Sequence, residues 1–426
     1  VAVADDVFIA GFTSSSDIPG IVTTDPASIQ VTHRGGGRDG FIARLGIDLT
    51  NTQAPVATYL GESGDDEIRD IFLDSPDAYV AGHTTSDGFP GIVPGTNPNS
   101  SFQDIRKGNY DIFVTRIDQT LRTGVPGSPS STYIGGTLKD ELLAIADTGS
   151  DTLYLAGTTD SPDFELGDPT TARFSAEQES FIAYIQKDLI TTSAYQGTYI
   201  GGDGNEDRIQ DMALMKRSFV FDIDADSIYI TGKTDSSDFP GRIGGYDDSL
   251  TVANDAFVMR IDATLSETAT YRSTYLGGSG ANEEGNAIAV DFVNGVYVGG
   301  VTDSTDFPGT ADGDFSGGVG GDSFLTNFDI TLEDASTAEI RVAADSPVDF
   351  GEWTSGDVSP AEQISINNIG VEPLIIIDIT LDDEVNYLLD EFGTTDSSCG
   401  NKGYFVTAGD NCNIWVTFRP PVSYTH

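Results

Sequence analysis

Val7-Phe8-Ile9-Ala10-Gly11, Tyr79-Val80-Ala81-Gly82, Tyr154-Leu155-Ala156-Gly157, Tyr229-Ile230-Thr231-Gly232 and Tyr297-Val298-Gly299-Gly300 are five versions of one apolar segment. Each closes on glycine and is followed by threonine and an aspartate-rich turn. The closing glycines stand 71, 75, 75 and 68 residues apart, so one unit has been copied and its loops changed in length. A chain built this way is first of all a scaffold of neighbouring units.

Working outward from that segment, each unit shows the same landmarks in the same order. An inner strand such as Ala287-Ile288-Ala289-Val290 precedes it. A corner follows it, reading Asp-Phe-Pro-Gly at 238–241 and 306–309, with Asp17-Ile18-Pro19-Gly20 and Gly88-Phe89-Pro90-Gly91 as variants. After a variable loop, a third strand opens on an acidic residue: Asp39, Asp111, Glu179, Asp255 and Asp322. A fourth reads Thr-Tyr-Leu/Ile-Gly at 58–61, 132–135, 198–201 and 274–277. Short β-branched and aromatic strands punctuated by Gly, Pro and Asp, four to a unit, describe the blade of a β-propeller. Tyr59, Tyr133, Tyr199 and Tyr275 then belong to the core, and the Phe-Pro corners pack between blades.

These motifs resemble a family of bacterial extracellular β-propeller repeats, with Thr-Tyr-Leu-Gly-Gly-Ser-Gly, then a Val-Tyr-Val-Ala-Gly strand, then Asp-Phe-Pro. The resemblance covers roughly residues 1 to 330, and the third copy departs most, reading Asp163-Phe164-Glu165. It implies a fold and a surface or secreted setting, and no particular chemistry.

The strand count does not close, because the fifth copy runs from Phe324 into Asp329-Ile330-Thr331-Leu332 without a Tyr-Leu-Gly strand. An open blade edge needs a cover. Upstream sequence, a segment near 338–343 and another subunit are the three sources expected for it.

From about Thr337 the texture changes. Val348-Asp349-Phe350-Gly351, Glu362 to Gly370, Leu374 to Ile379 and Cys412 to Pro420 alternate as sandwich strands do. This part resembles the immunoglobulin-like domains of the hydin-related, choice-of-anchor type, which continue into one more strand where this chain stops at His426. The expected fold is therefore all-β: a five-repeat β-propeller over 1–336, then an immunoglobulin-like β-sandwich over 337–426.

Cys399 and Cys412, the chain's two cysteines, read as a disulfide in an exported protein, worth about 3 kcal/mol in the chain-entropy model. The alternative is two reduced, buried thiols. No apolar run approaches the roughly 18 residues of a membrane helix. Starting at Val suggests a trimmed N-terminus.

The formal net charge is -47, from 68 acidic and 21 basic residues. That excludes nucleic acid as a partner, since phosphate binding needs a basic face. Self-repulsion of this size calls for salt or divalent cations. Ca2+ is the cofactor expectation, with Asp222, Asp224 and Asp226 as metal candidates. Their spacing lacks the glycine and the glutamate of a calcium loop, at Ser227 and Lys233. Asp65-Asp66-Glu67, Glu206-Asp207 and Glu283-Glu284 recur at equivalent places, which favours capping turns or pairing with Arg69 or Arg208.

No catalytic residue is expected. His33, His83 and His426 fit no zinc spacing. Thr231-Gly232-Lys233-Thr234 looks like the end of a phosphate loop but lies on a blade strand. Some carboxylate pair among 68 acids will sit at glycosidase distance by chance. The sequence thus points to a non-enzymatic extracellular or cell-surface structural protein that assembles with itself, by strand donation or edge pairing, into a filament or layer. An adhesin using the variable loops Gly20 to Gly37, Gly91 to Asn109 and Gly241 to Asn254 to bind glycans is the alternative. A polysaccharide-degrading enzyme ranks third.

Overall fold

A computed structural model describes residues 2–3, 6–21, 29–47, 55–92, 102–122, 128–147, 149, 151–164, 166, 178–191, 195–204, 206–216, 226–251, 254–265, 271–280, 282–291, 295–308 and 321–332, then 340–343, 357–359, 362–368, 374–376, 387–390, 404–406 and 411–418. Two compact units result: Val1–Lys216 with Asp226–Asp291 and Gly295–Leu332, and Arg217–Ala225 with Phe292–Asn294 and Glu333–His426. Among the described residues there is no helix, and the sheets are antiparallel throughout.

The first unit is five consecutive meanders. Sheet 1 is β1 (Ala2–Val3), β2 (Asp6–Thr13), β3 (Asp39–Gly46) and β4 (Val56–Leu60). Sheet 2 is β5 (Asp66–Asp74), β6 (Asp77–Thr84), β7 (Asp111–Asp118) and β8 (Ser130–Ile134); sheet 3 is β9 (Asp140–Asp147), β10 (Thr152–Thr159), β11 (Glu179–Gln186) and β12 (Gln196–Ile200). Sheet 4 is β13 (Arg208–Met215), β14 (Ser227–Thr234), β15 (Asp255–Asp262) and β16 (Arg272–Leu276). Sheet 5 has three described strands: β17 (Glu284–Asp291), β18 (Gly295–Thr302) and β19 (Asp322–Phe328). The repeated segments are the second strands, the acid-headed segments the third.

Each sheet packs on the next through the latter's first strand. The face turned toward the next sheet is called the front, and its opposite the rear. Phe8 and Ile42 on the front of sheet 1 meet Phe113 and Ile117 on the rear of sheet 2. Ile112 and Val114 on the front of sheet 2 meet Phe181 and Ile185 of sheet 3. Because both faces are covered, β7, β11 and β15 read as nearly continuous apolar runs between terminal polar residues. The four fourth-strand tyrosines are buried, and their hydroxyls donate to Ser15 O at 2.8 Å, Ser86 O at 2.8 Å, Phe164 O at 2.8 Å and Ser236 O at 2.6 Å. The corner phenylalanines Phe89, Phe164, Phe239 and Phe307 lie against the third-strand rings of Phe113, Phe181, Phe257 and Phe324 in their own sheets, with centroids 4.2 to 4.7 Å apart.

The closing glycine of the repeat has a specific cause. The first strand carries a bulge at Arg69, Leu143, Gln210 and Asn286 in sheets 2 to 5, which turns the carbonyl of Glu67, Glu141, Arg208 or Glu284 onto the neighbouring second strand. A Cβ at Gly82, Gly157, Gly232 or Gly300 would occupy the space of that oxygen. Leu121, Leu189, Leu265 and Leu332 form a second repeated device, the turn after the third strand, at φ of 56°, 60°, 54° and 56°. All four are buried, so packing holds a conformation that leucine otherwise avoids.

In the second unit, β20 (Ile340–Ala343), β21 (Glu362–Asn368), β25 (Asn411–Phe418) and β23 (Tyr387–Asp390) pair in that order, and β22 (Leu374–Ile376) pairs with β24 (Tyr404–Val406). Ile340–Ala343 thus belongs to this unit's sheet, which corrects the expectation that a segment near 338–343 could close sheet 5. Cys412 is buried on β25, whereas Cys399 lies outside the described residues.

Candidate functional site

Three places in the first unit carry side chains arranged for more than filling space. The first is the seam between sheets. Asp66, Asp140, Asp207 and Glu283 stand at the head of the first strands of sheets 2 to 5, all buried. Asp140 Oδ1 accepts from Thr159 Oγ1 at 2.5 Å, and its Oδ2 from Ser161 Oγ at 2.9 Å and the Gly136 amide at 2.7 Å. Asp66 does the same with Thr84, Ser86 and Glu62, and Asp207 with Thr234, Ser236 and Gly202. Glu283 takes Thr302 and Ser304.

The acid heading the preceding sheet's third strand lies beside each clasp. The carbonyl of the residue before that acid accepts from the clasp residue's amide: Arg38 O from Asp66 N, and Tyr110 O from Asp140 N, both at 2.8 Å. Burial pushes Asp66 and Asp140 up to about 6, against the pull of their hydroxyl and amide donors; Asp39 and Asp111 add to the rise. The recurring acids are therefore turn and seam clasps, as their recurrence implied. Glu67 pairs with Arg69 at 2.6 Å, while Glu206 takes Lys233 at 2.5 Å rather than Arg208.

The second place departs from the repeat. His83 follows the closing glycine where the other sheets have Phe12, Thr158, Lys233 and Val301. Its Nε2 lies 3.5 Å from Glu67 Oε2 and 3.9 Å from Glu141 Oε1, with Tyr110 edge-on at 5.6 Å. Burial first, then the Arg69 charge, lowers His83 to about 4, so the imidazole is neutral at pH 7. Arg38 also binds Glu67, and Lys139 binds Glu141 at 2.9 Å. His83 Nδ1, Thr158 Oγ1 and Arg208 Nε are buried without a hydrogen-bond partner. This group gathers four cations in a chain with 21. His83 fits no metal or nucleophile spacing, so those motifs do not reveal it; the available signal was a lone histidine at a position that no two copies fill alike.

The third place is the front of sheet 5. Leu325 is 77% exposed, whereas its counterparts Ile42, Val114, Ile182 and Val258 are buried. Tyr297 is 36% and Val301 40% exposed. The same alternation appears along β19, where Phe324 and Phe328 point to the rear and are covered while Ser323, Leu325 and Asn327 are not. No described strand pairs with the outer edge of β19.

Of the metal candidates, Asp222 and Asp224 lie outside the described residues. Asp226 precedes β14, where its carbonyl accepts the Ala263 amide at 2.9 Å. Among the described residues no group of three or more His, Cys, Asp or Glu side chains is placed to hold a metal ion. Nor, among them, is any helix long and apolar enough to cross a membrane.

The seam between sheets 4 and 5 is also where a known family is matched. Residues 272–308 match the family model of the β-propeller repeat, SBBP. The matched repeat runs from β16 through β17 and β18 to Pro308, and so contains the Glu283–Thr302–Ser304 clasp and Gly278, which lies against Ser304. The regulatory protein FlaEY of Caulobacter vibrioides is 24% identical over 204 residues, covering 48% of this chain and 20% of that protein. This chain therefore spans about a fifth of that relative's length. The phage phi92 endosialidase aligns over 99% of this chain and 71% of its own, at 9% identity and a TM-score of 0.32, a likeness too distant to carry an argument about fold or chemistry.

Proposed function

We propose that this chain is a non-enzymatic, extracellular structural module: five β-propeller blades in series with an immunoglobulin-like sandwich, self-assembling into a surface filament or layer. The observation that carries this is the bare front of sheet 5, an apolar face of a kind that four other sheets of the same chain cover. The extracellular setting is supported by the charge of -47, which screening by salt or by Ca2+ would offset; a disulfide between Cys399 and Cys412 is part of the same proposal. The acids that recur in the seams serve turns and joints, which speaks for a scaffold and against hydrolysis. Sedimentation of the native material over a wide concentration range, with and without a chelator, is the test. Association is expected, and a strictly monomeric chain at every concentration refutes self-assembly.

A second function, glycan binding by an adhesin, has one observation in its favour. At the root of the loop Gly241 to Asn254 lies a cleft of about 320 Å³, lined by Asp238, Phe239, Arg242, Ile243, Tyr271 and Arg272. Planar arginine donors beside an aromatic ring suit a sugar bearing carboxylate or hydroxyl groups. Glycan-array binding that disappears in Arg242→Ala decides for it, and an empty array decides against it.

A further inference from the structure

The sheets of the first unit are joined by one repeated tie. Tyr79, Tyr154 and Tyr229, on the front of sheets 2, 3 and 4, reach the carbonyls of Lys187, Ala263 and Ile330 in the following sheet, at 3.4, 2.9 and 2.6 Å. Those acceptors occupy equivalent positions, eight residues after the acid that opens the third strand. Sheet 1 has Phe8 where the tyrosine stands, and there Arg44 lies over the Phe8 ring and donates to Gln119 O, the equivalent carbonyl of sheet 2, at 3.3 Å. Every front that is followed by a sheet therefore makes this bond.

The front of sheet 5 and the rear of sheet 1 each show half of the tie. At one end, Tyr297 presents its ring and hydroxyl beside Val301 and Leu325, all uncovered. At the other, the rear of sheet 1 shows Phe41 and Leu45 only half-buried, while their counterparts Phe113, Phe181, Phe257 and Ile117, Ile185, Ile261 are buried. Ile47 holds the position equivalent to Gln119, Lys187, Ala263 and Ile330, and it is 58% exposed. The two ends are thus the two halves of the joint that the chain builds four times internally, and one molecule carries both.

We propose that the front of sheet 5 binds the rear of sheet 1 of a second copy of this chain. Tyr297 of one copy then donates to the carbonyl of Ile47 of the next, and Leu325 and Val301 seat against Phe41 and Leu45. The contact is heterologous, because one surface meets a different surface, and it propagates as an open series rather than stopping at a dimer. It rests on the self-assembly proposed above and names the faces that carry it.

The test is sedimentation velocity on the full chain and on two variants, Leu325→Asp and Ile47→Asp, each at an exposed position where the fold does not depend on the side chain. Matching circular dichroism and melting temperatures confirm folding, and Val301→Asp repeats the first variant at a second site. The native chain forms a ladder of species. Each variant alone is monomeric, with association weakened roughly thirtyfold or more, as for a central interface residue. An equimolar mixture of the two gives dimers and nothing larger, since only one intact front and one intact rear remain to meet. If Leu325→Asp assembles like the native chain, the chain associates by another surface and this contact is refuted while self-assembly stands. Loss of assembly in Leu325→Asp but not in Ile47→Asp shows a front-to-front contact and also overturns the proposal. A native chain that stays monomeric overturns both.

Discussion

Tyr154 donates its hydroxyl proton to the carbonyl oxygen of Ala263 at 2.9 Å, across the seam between sheets 3 and 4 and 109 positions along the chain. Burial raises Tyr154 to about 12, so the phenol remains a donor at every physiological pH. This bond ties two meanders that share no backbone ladder, and the same geometry recurs at the neighbouring seams.

Tyr154→Phe removes the donor and leaves a buried carbonyl unpaired. It should cost about 1–2 kcal/mol in denaturant unfolding of the first unit. Tyr297→Phe, the same change at the uncovered end, should leave the dilute chain's stability within about 0.5 kcal/mol of native. Equal losses at the two positions would show that the bond across the seam is not what Tyr154 contributes.

Gly157→Ala should destabilise by roughly 3 kcal/mol, because the added methyl meets the Glu141 carbonyl held there by the bulge at Leu143. Gly88→Ala is a control, since a Cβ at Gly88 meets nothing within 4 Å, though φ there is +72°. Its cost should be limited to the backbone, about 1 kcal/mol. Urea titration of both variants separates steric exclusion from conformational freedom.

Acidification should stabilise the first unit. Asp66, Asp70 and Asp140 are raised from 3.8 to about 6, chiefly by burial, so the folded chain binds protons that the unfolded chain releases. Their stabilising contribution is full below pH 4 and is lost as pH rises through 6. His83 opposes them, because its lowered folded value makes its contribution present above 6.5 and lost toward 4. Three carboxylates outweigh one imidazole, so the melting temperature should climb from pH 7 to pH 5. Asp140→Asn should flatten that slope; an unchanged slope would mean that the clasp carboxylate does not titrate in this range.

Leu189→Ala should cost about 3 kcal/mol by emptying a fully buried site in the seam between sheets 2 and 3. Leu189→Gly relieves the φ of 60° yet removes the same packing, so it should recover at most about 1 kcal/mol of that loss. Calorimetry on the pair checks whether packing outweighs strain.

Much of the strand layout was legible in the sequence because a repeat presents each pattern several times. The glycine-closed segments, the acid-headed strands and the Tyr-Leu/Ile-Gly strands all fall on described strands, and the fifth sheet, with three strands among the described residues, is the one whose sequence has no fourth motif. The physical reason for the closing glycine was hidden, because the bulge facing it lies on another strand. His83 was hidden because its partners Glu67 and Glu141 come from two different sheets, 16 and 58 residues away. The bare front of sheet 5 was hidden for a third reason. Phe324-Leu325 has the same apolar pattern as Phe257-Val258, and only packing distinguishes a covered leucine from an open one.

The most direct test of the central claim is cross-linking in a chain carrying Tyr297→Cys and Ile47→Cys, with a short bis-maleimide. Head-to-tail stacking predicts a ladder of covalent dimers, trimers and higher species that fades on dilution. A cross-link formed within single molecules, independent of dilution, would show instead that sheet 5 closes onto sheet 1 of its own chain, and would contradict the account.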